Sequence, residues 1–247
     1  MSYVSRISRK IGDMANPLLA KGRRKKLTRT DFSIFSNNCW AGSVYRRYGL
    51  PYSSPTAGLY FFASDYVKFA SRLRHYTATP LEFIDARDSR YADQLREKGE
   101  LDKPVARLDD IEVVFLHYPS PEEAAEKWAR RCERINWGDV FIKFSQMNCC
   151  TEEDLRAFDA IPFGNKVCFT ASPRPELACA VHFPGYSERG GGSSMIRTIT
   201  RGTSTWKNGS AGPRRSTDSV SWPYSHGLCC PLCLDLYSID FERGEFR

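Results

Sequence analysis

The 247-residue chain has no apolar run approaching the roughly 18 residues that a spanning helix needs, which excludes an integral membrane protein built on helices. Its basic N-terminus lacks the continuous apolar stretch of a secretory signal, so the expected location is the cytoplasm. No G-x-G-x-x-G follows a strand-like segment, which removes the dinucleotide fingerprint. No G-x-x-x-x-G-K-[ST] and no G-x-S-x-G occur, so neither a phosphate loop of that kind nor a hydrolase serine elbow is present. Asp85 and Asp88 are the nearest approach to paired metal-binding carboxylates, and they lie in a charged stretch; no metal is assigned on them and no cofactor is named by any motif. Cysteine is not scarce, at nine, but its spacing is not that of a secreted disulfide framework, and reduced thiols are expected.

Hydrophobic residues at 41% and charged residues at 26% are the balance of a folded chain and exclude wholesale disorder. The net charge of +7 is unevenly spread: residues 1–30 carry +8, residues 31–190 carry −3 and residues 191–247 carry +2. A basic leader on a slightly acidic body argues against nucleic acid as a partner, which needs a basic face on the fold itself. In the leader, Val4, Ile7, Ile11 and Met14 recur at helical spacing among Arg6, Arg9 and Lys10, ahead of the run Arg23-Arg-Lys-Lys26. Such a segment can lie on an anionic membrane surface, each basic residue contributing ~1 kcal/mol. The alternative is a solvated terminal tail.

From residue 31 the pattern alternates strand and helix. Candidate strands are 32–36, 59–62, 111–116, 140–144, 166–170 and 177–183. One candidate helix spans 64–74, with Tyr66, Val67, Phe69, Ala70 and Leu73 on one face. A second follows Ser120-Pro-Glu-Glu123, a capping signature, and turns Ala124, Ala125, Trp128, Cys132 and Ile135 inward. A third opens on Thr151-Glu-Glu-Asp154 and buries Leu155 and Phe158. Apolar strands alternating with amphipathic helices predict one α/β domain over 31–187, a three-layer α/β/α fold with a mainly parallel sheet. The charged stretch 84–110 reads as a surface excursion.

In such folds ligands gather beyond the carboxyl ends of the strands. The first candidate strand runs through Ser36 into Asn37, Asn38 and Cys39; that at 111–116 runs into His117 and Tyr118; that at 140–144 runs into Ser145. Cys39 is a candidate nucleophile with His117 as its base. The plainer alternative makes Cys39 a buried filler, the asparagines loop bonders and His117 a turn cap. Arg130, Arg131 and Arg134, with Asn136 beyond, are either a phosphate clamp or a solvated helix face paired with Glu123, Glu126 and Glu133. His226, Cys229, Cys230 and Cys233 supply half of a zinc site or else unpaired thiols.

Several of these segments together resemble a bacterial family, domain of unknown function 1919, whose members are often named exopolysaccharide biosynthesis proteins. The segments are Phe32-Ser-Ile-Phe-Ser-Asn-Asn-Cys-Trp40, Leu50-Pro-Tyr-Ser-Ser-Pro55, Phe115-Leu-His-Tyr118, Glu126-Lys-Trp-Ala-Arg-Arg-Cys-Glu-Arg-Ile-Asn-Trp137 and Asn165-Lys-Val-Cys-Phe-Thr170. The resemblance covers about 31–187 and implies a three-layer α/β fold and a place in capsule or surface-polysaccharide assembly. It supplies no catalytic residues. Where the family usually has Gly after the Trp, this chain has Ala41-Gly42.

A larger departure is the segment after about 187, rich in Gly, Ser, Thr and Arg, without the Asp- and Tyr-containing ending of the family. Taken one base earlier, the codons of Met195-Ile196 force an aspartate and those of Trp206-Lys207 a glutamate. Permitted codons from Ser194 to Ser210 give a family-like ending in that frame. A change of frame near Gly190-Gly-Gly192 is therefore expected, and 188–247 is read as disordered or out of frame.

The resulting expectation is a transferase of exopolysaccharide or capsule biosynthesis acting on an activated sugar or glycan substituent. Its expected partners are a nucleotide-activated sugar or glycan intermediate and, through the leader, an anionic membrane surface. Cys39 and His117 are the candidate catalytic pair; Ser36, Asn37, Asn38, Tyr118, Arg130, Arg134, Asn136 and Ser145 are candidate substrate-binding residues. The alternative is a non-catalytic assembly or regulatory factor of the same machinery.

Overall fold

A computed structural model of the chain describes residues 19–182. The expectations placed on residues 1–18, on the segment from 188 onward and on the His226–Cys233 cluster lie outside the described residues.

A short helix, α1, is described over 19–24. The elements that follow are β1 (Ser33–Ser36), α2 (Trp40–Tyr48), α3 (Ala63–Ser71), α4 (Leu73–Ala78), β2 (Glu82–Ile84), α5 (Ala92–Lys98), β3 (Val105–Leu108), β4 (Ile111–Val114), α6 (Pro121–Cys132), β5 (Val140–Ser145), α7 (Glu152–Ala160), β6 (Lys166–Thr170) and β7 (Ala180–His182). Four strands form a parallel sheet in the order β1-β5-β6-β7. Parallel neighbours need long crossovers, and α7 supplies the one from β5 to β6.

The pleat sends alternate residues to opposite faces. Phe35, Ile142, Phe144 and Cys168 enter a core with residues of α3, α4, α6 and α7. Ile34, Phe141, Val167 and Phe169 enter a second core with Trp40, Ala41, Val44, Tyr45 and Tyr48 of α2. Helices thus cover both faces, and the architecture is α/β in three layers. Every residue of β5 is buried. One of them, Lys143, is charged and only 1% exposed.

Helix starts follow the sequence signatures. The Ser120 side chain accepts from the Glu123 N–H with Pro121 in the first turn, and Thr151 and Asp154 form a complete capping box. The expected helix at 64–74 is instead two helices. Arg72, at φ −136° and ψ 44°, breaks it between α3 and α4, while Tyr66, Phe69, Ala70 and Leu73 stay buried.

The stretch 84–110 is not a surface excursion. With Glu82–Ile84 and Ile111–Val114 it builds a second sheet, antiparallel, in the order β2-β3-β4. Leu95, Val105, Ala106 and Leu108 are fully buried there. Leu108 pairs with Ile111 across Asp109-Asp110, and Asp109 takes φ 58°, the left-handed conformation that a tight hairpin demands. The expected strand at 59–62 makes a single antiparallel bridge, Tyr60 to Val114. The strand expected at 111–116 belongs to this second sheet rather than to the parallel one.

Candidate functional site

The carboxyl end of β1 is held to β5 by a side chain that imitates backbone. Asn37 Nδ2 donates to the Ser145 carbonyl at 2.9 Å, and its Oδ1 accepts from the Ser145 N–H at 3.0 Å. Both residues are fully buried. Asn38 then turns the chain into α2: its Oδ1 accepts from the Trp40 N–H and from Lys143 Nζ, each at 3.1 Å. Ser36 Oγ donates to the Asn38 carbonyl at 2.6 Å and accepts from the Ala41 N–H at 3.2 Å. The first turn of α2 is therefore fastened to β1 and β5, with Cys39 at its N-cap position.

Beside that turn lies a cavity of about 280 Å³ lined by Cys39, Gly42, Ser43, Arg46, Tyr52, Ala57, Gly58, His117, Tyr118, Lys127 and Arg131. Two glycines shape it. A Cβ on Gly42 would stand 3.3 Å from the Ala57 Cβ, so the helix packs this close only without one. Gly58 takes φ 85° with the Tyr118 ring 3.1 Å from where its Cβ would be.

Three cations converge on this cavity. Arg131 donates to the Ala57 carbonyl at 2.8 Å and to the Tyr118 hydroxyl, and its guanidinium lies 4.8 Å from the Tyr52 ring centre. Lys127, paired with Glu123, sits 5.5 Å from the Tyr118 ring. Arg46 comes from the last turn of α2. Among the described residues no carboxylate lines the space. Cations flanked by aromatic faces and the N-terminal turn of a nine-residue helix suit an oxyanion attached to a flat or apolar body.

Burial pushes the Cys39 thiol up to about 11, against the opposing influence of Lys143, so it is protonated at neutral pH. It donates to the Leu59 carbonyl at 3.7 Å and not to His117. Burial, and secondarily Lys103, holds His117 below its ordinary 6.5. Its ring makes no hydrogen bond among the described residues, so at neutral pH it offers a neutral imidazole to the cavity.

The chain matches, over residues 12–222, the family described as a domain of unknown function (DUF1919). It belongs to this family. The match extends at both ends beyond the 31–187 on which the sequence resemblance was drawn. A relative from Haemophilus influenzae, described as an uncharacterized protein, is 31% identical over 166 residues, covering 67% of this chain and 74% of the relative. In this family member Ala41 is fully buried, packed with β1 and β5 residues Ile34 and Phe141, and Gly42 meets the cavity.

The structure brings Cys39, His117 and Tyr118 to one cavity and sets Ser36, Asn37, Asn38 and Ser145 in the buried scaffold behind it. It does not bring Arg130, Arg134 or Asn136 there. Arg130 pairs with Glu126 at 2.8 Å on the exposed face of α6, and Arg134 is exposed. Asn136 lies at the opposite end of the sheet, donating to the Asp31 carbonyl and accepting from the Gly138 N–H. The phase of α6 explains the selection: Lys127 and Arg131, four apart, share the face toward the cavity. Arg46, Tyr52, Lys127 and Lys143 were not singled out as site residues by the sequence, and Arg131 entered only as one of the three arginines of the candidate phosphate clamp. Lys143 left a signal, a lone charge inside the apolar run Val140-Phe-Ile-Lys-Phe144. Among the described residues no group of three or more His, Cys, Asp or Glu is placed to hold a metal, and no helix is long and apolar enough to cross a membrane.

Proposed function

We propose that the chain works in bacterial surface-polysaccharide biosynthesis as a transferase that receives an activated sugar, or a glycan substituent, in the cavity beside the first turn of α2. The observation that carries this reading is the convergence of Arg46, Lys127 and Arg131 with the Tyr52 and Tyr118 rings at the carboxyl end of β1, where α/β folds bind ligands. The phosphate of the donor meets the cationic side chains; its apolar or ring face lies against tyrosine. A volume of about 280 Å³ is near the ~300 Å³ lower bound of small-molecule sites, enough for one phosphorylated sugar with the rest of the donor outside.

In this reading His117 is the general base that takes the proton of an acceptor hydroxyl, a task suited to an imidazole neutral at working pH. Cys39 is a wall of the cavity rather than its nucleophile, because a protonated thiol attacks poorly. The lack of a lining carboxylate favours a second reading, a non-catalytic assembly or regulatory factor that senses the same ligand.

The test is the mass of the surface-polysaccharide repeat unit in a strain lacking the gene. The transferase reading predicts a discrete mass loss, reversed by the wild-type gene and not by His117→Asn. An unchanged repeat mass with reduced polymer would favour the assembly factor.

A further inference from the structure

A lysine in the centre of a parallel sheet costs the fold several kcal/mol unless its charge is lost or answered. Among the described residues Lys143 is answered by no carboxylate. Its Nζ donates to Asn38 Oδ1 at 3.1 Å, with the Trp40 ring centre at 5.7 Å and the Phe169 ring centre at 5.4 Å. Two residues along the same face of β5, the fully buried Ser145 Oγ has no hydrogen-bond partner among the described residues. Asn38 also holds the Trp40 N–H, and Cys39, its chain neighbour, lines the cavity and interacts electrostatically with Lys143. Asn38, bonded to this amine, and its neighbour Cys39, which lines the cavity, thus link Lys143 to the space where the three cations converge.

We propose that Lys143 is a buried cationic post behind the anion site, and that an oxyanion entering the cavity draws a proton from solvent onto its Nζ. This inference rests on the reading of the cavity as an anion site. The bound anion supplies the negative charge that the buried ammonium lacks, so binding and protonation favour one another reciprocally. The ammonium in turn adds to the attraction and keeps Asn38, and with it the first turn of α2, in place.

The titratable groups facing Lys143 are two thiols, Cys39 at the N-cap of α2 and Cys168 on β6. Burial raises them to about 11 and about 12, and both stay protonated through neutral pH. Burial lowers Lys143 to about 7. His117, on the cavity side, is held below 6.5. Of these groups, Lys143 is the one that changes charge between pH 6.5 and 9.

Sulfate is the probe of choice, because it is fully ionised throughout that range and fits the cavity. The Lys143 side chain is followed by heteronuclear NMR from pH 6 to 11 in the full-length protein, with and without sulfate at constant ionic strength. Lys143→Met identifies its signal by loss. The expected result is a midpoint near neutrality that moves upward with sulfate, while Gly42 and His117 signals also shift. A midpoint near the ordinary 10.5, or one that sulfate leaves still while the cavity signals move, overturns the proposal and leaves the anion site standing. Sulfate that moves neither overturns the anion site and the proposal with it.

Discussion

The two ends of the parallel sheet both open into hollows, and they differ in what the chain has built there. The hollow at the amino end, near Gly138 and Asn165, is the larger at about 770 Å³ against about 280 Å³. Its walls include Trp137, Ile161, Pro162 and Phe163, and its guanidinium from Arg74 is already laid 4.3 Å over the Trp137 ring. The smaller hollow at the carboxyl end gathers three cations, an imidazole and two tyrosines around one space. Size alone would favour the first. Chemistry and topology favour the second, because polar groups that converge at strand carboxyl ends have no packing reason to do so.

The sharpest way to break this comparison is Lys143, which has no counterpart at the other end. Its folded value of about 7 lies below the unfolded 10.5. Below pH 7 both states are protonated and the full cost of burying the charge is present. Between 7 and 10.5 the unfolded state holds more protons, so the folded state gains stability as pH rises. The gap between the two corresponds to an effect on the order of 5 kcal/mol. Urea unfolding of Lys143→Met and wild type should show the variant's relative stability falling by an amount of that order from pH 6 to pH 10. A pH-independent difference would mean that Lys143 titrates normally.

Two asparagines test the scaffolds next. Asn37→Ala strands a buried N–H and a buried carbonyl of Ser145 and should cost about 3 kcal/mol. Asn136→Ala, at the more exposed amino end, should cost about 1 kcal/mol. Equal losses in denaturant unfolding would erase the distinction between the two ends. The last effect is on binding rather than on stability. Arg131→Met should weaken a nucleotide sugar 10- to 100-fold, about 1.4–2.7 kcal/mol, in a thermal-shift titration, and Arg74→Met should leave it unchanged.

Much of the frame was legible before any coordinates. Continuous apolar strands marked β1, β5 and β6, and Ser120 and Thr151 announced two helices through local bonding that needs no tertiary context. The convergence of Cys39, His117 and Tyr118 followed from their places after strand-like segments, although His117 arrives from the antiparallel sheet rather than from a neighbouring parallel strand. Of the second sheet only β4 was read as a strand, and it was given to the parallel sheet; β2 and β3 were hidden because they are three and four residues long, too short for period-2 alternation to stand out among Arg87, Asp88, Arg90 and Arg107. The choice among the arginines depended on the rotation of α6 about its axis. A shift of one residue exchanges Arg130 for Arg131, and three-dimensional packing of Trp128 and Ala124 sets that phase.

The central claim is that an anionic ligand binds at the carboxyl end of the sheet, and its most direct test is a map of amide chemical-shift changes as a nucleotide sugar is titrated into the protein. The account predicts shifts concentrated at Gly42, Ser43, Gly58 and His117, with Trp137, Phe163 and Gly164 still. Shifts confined to Trp137, Phe163 and Gly164 would contradict it and move the site to the other end of the sheet.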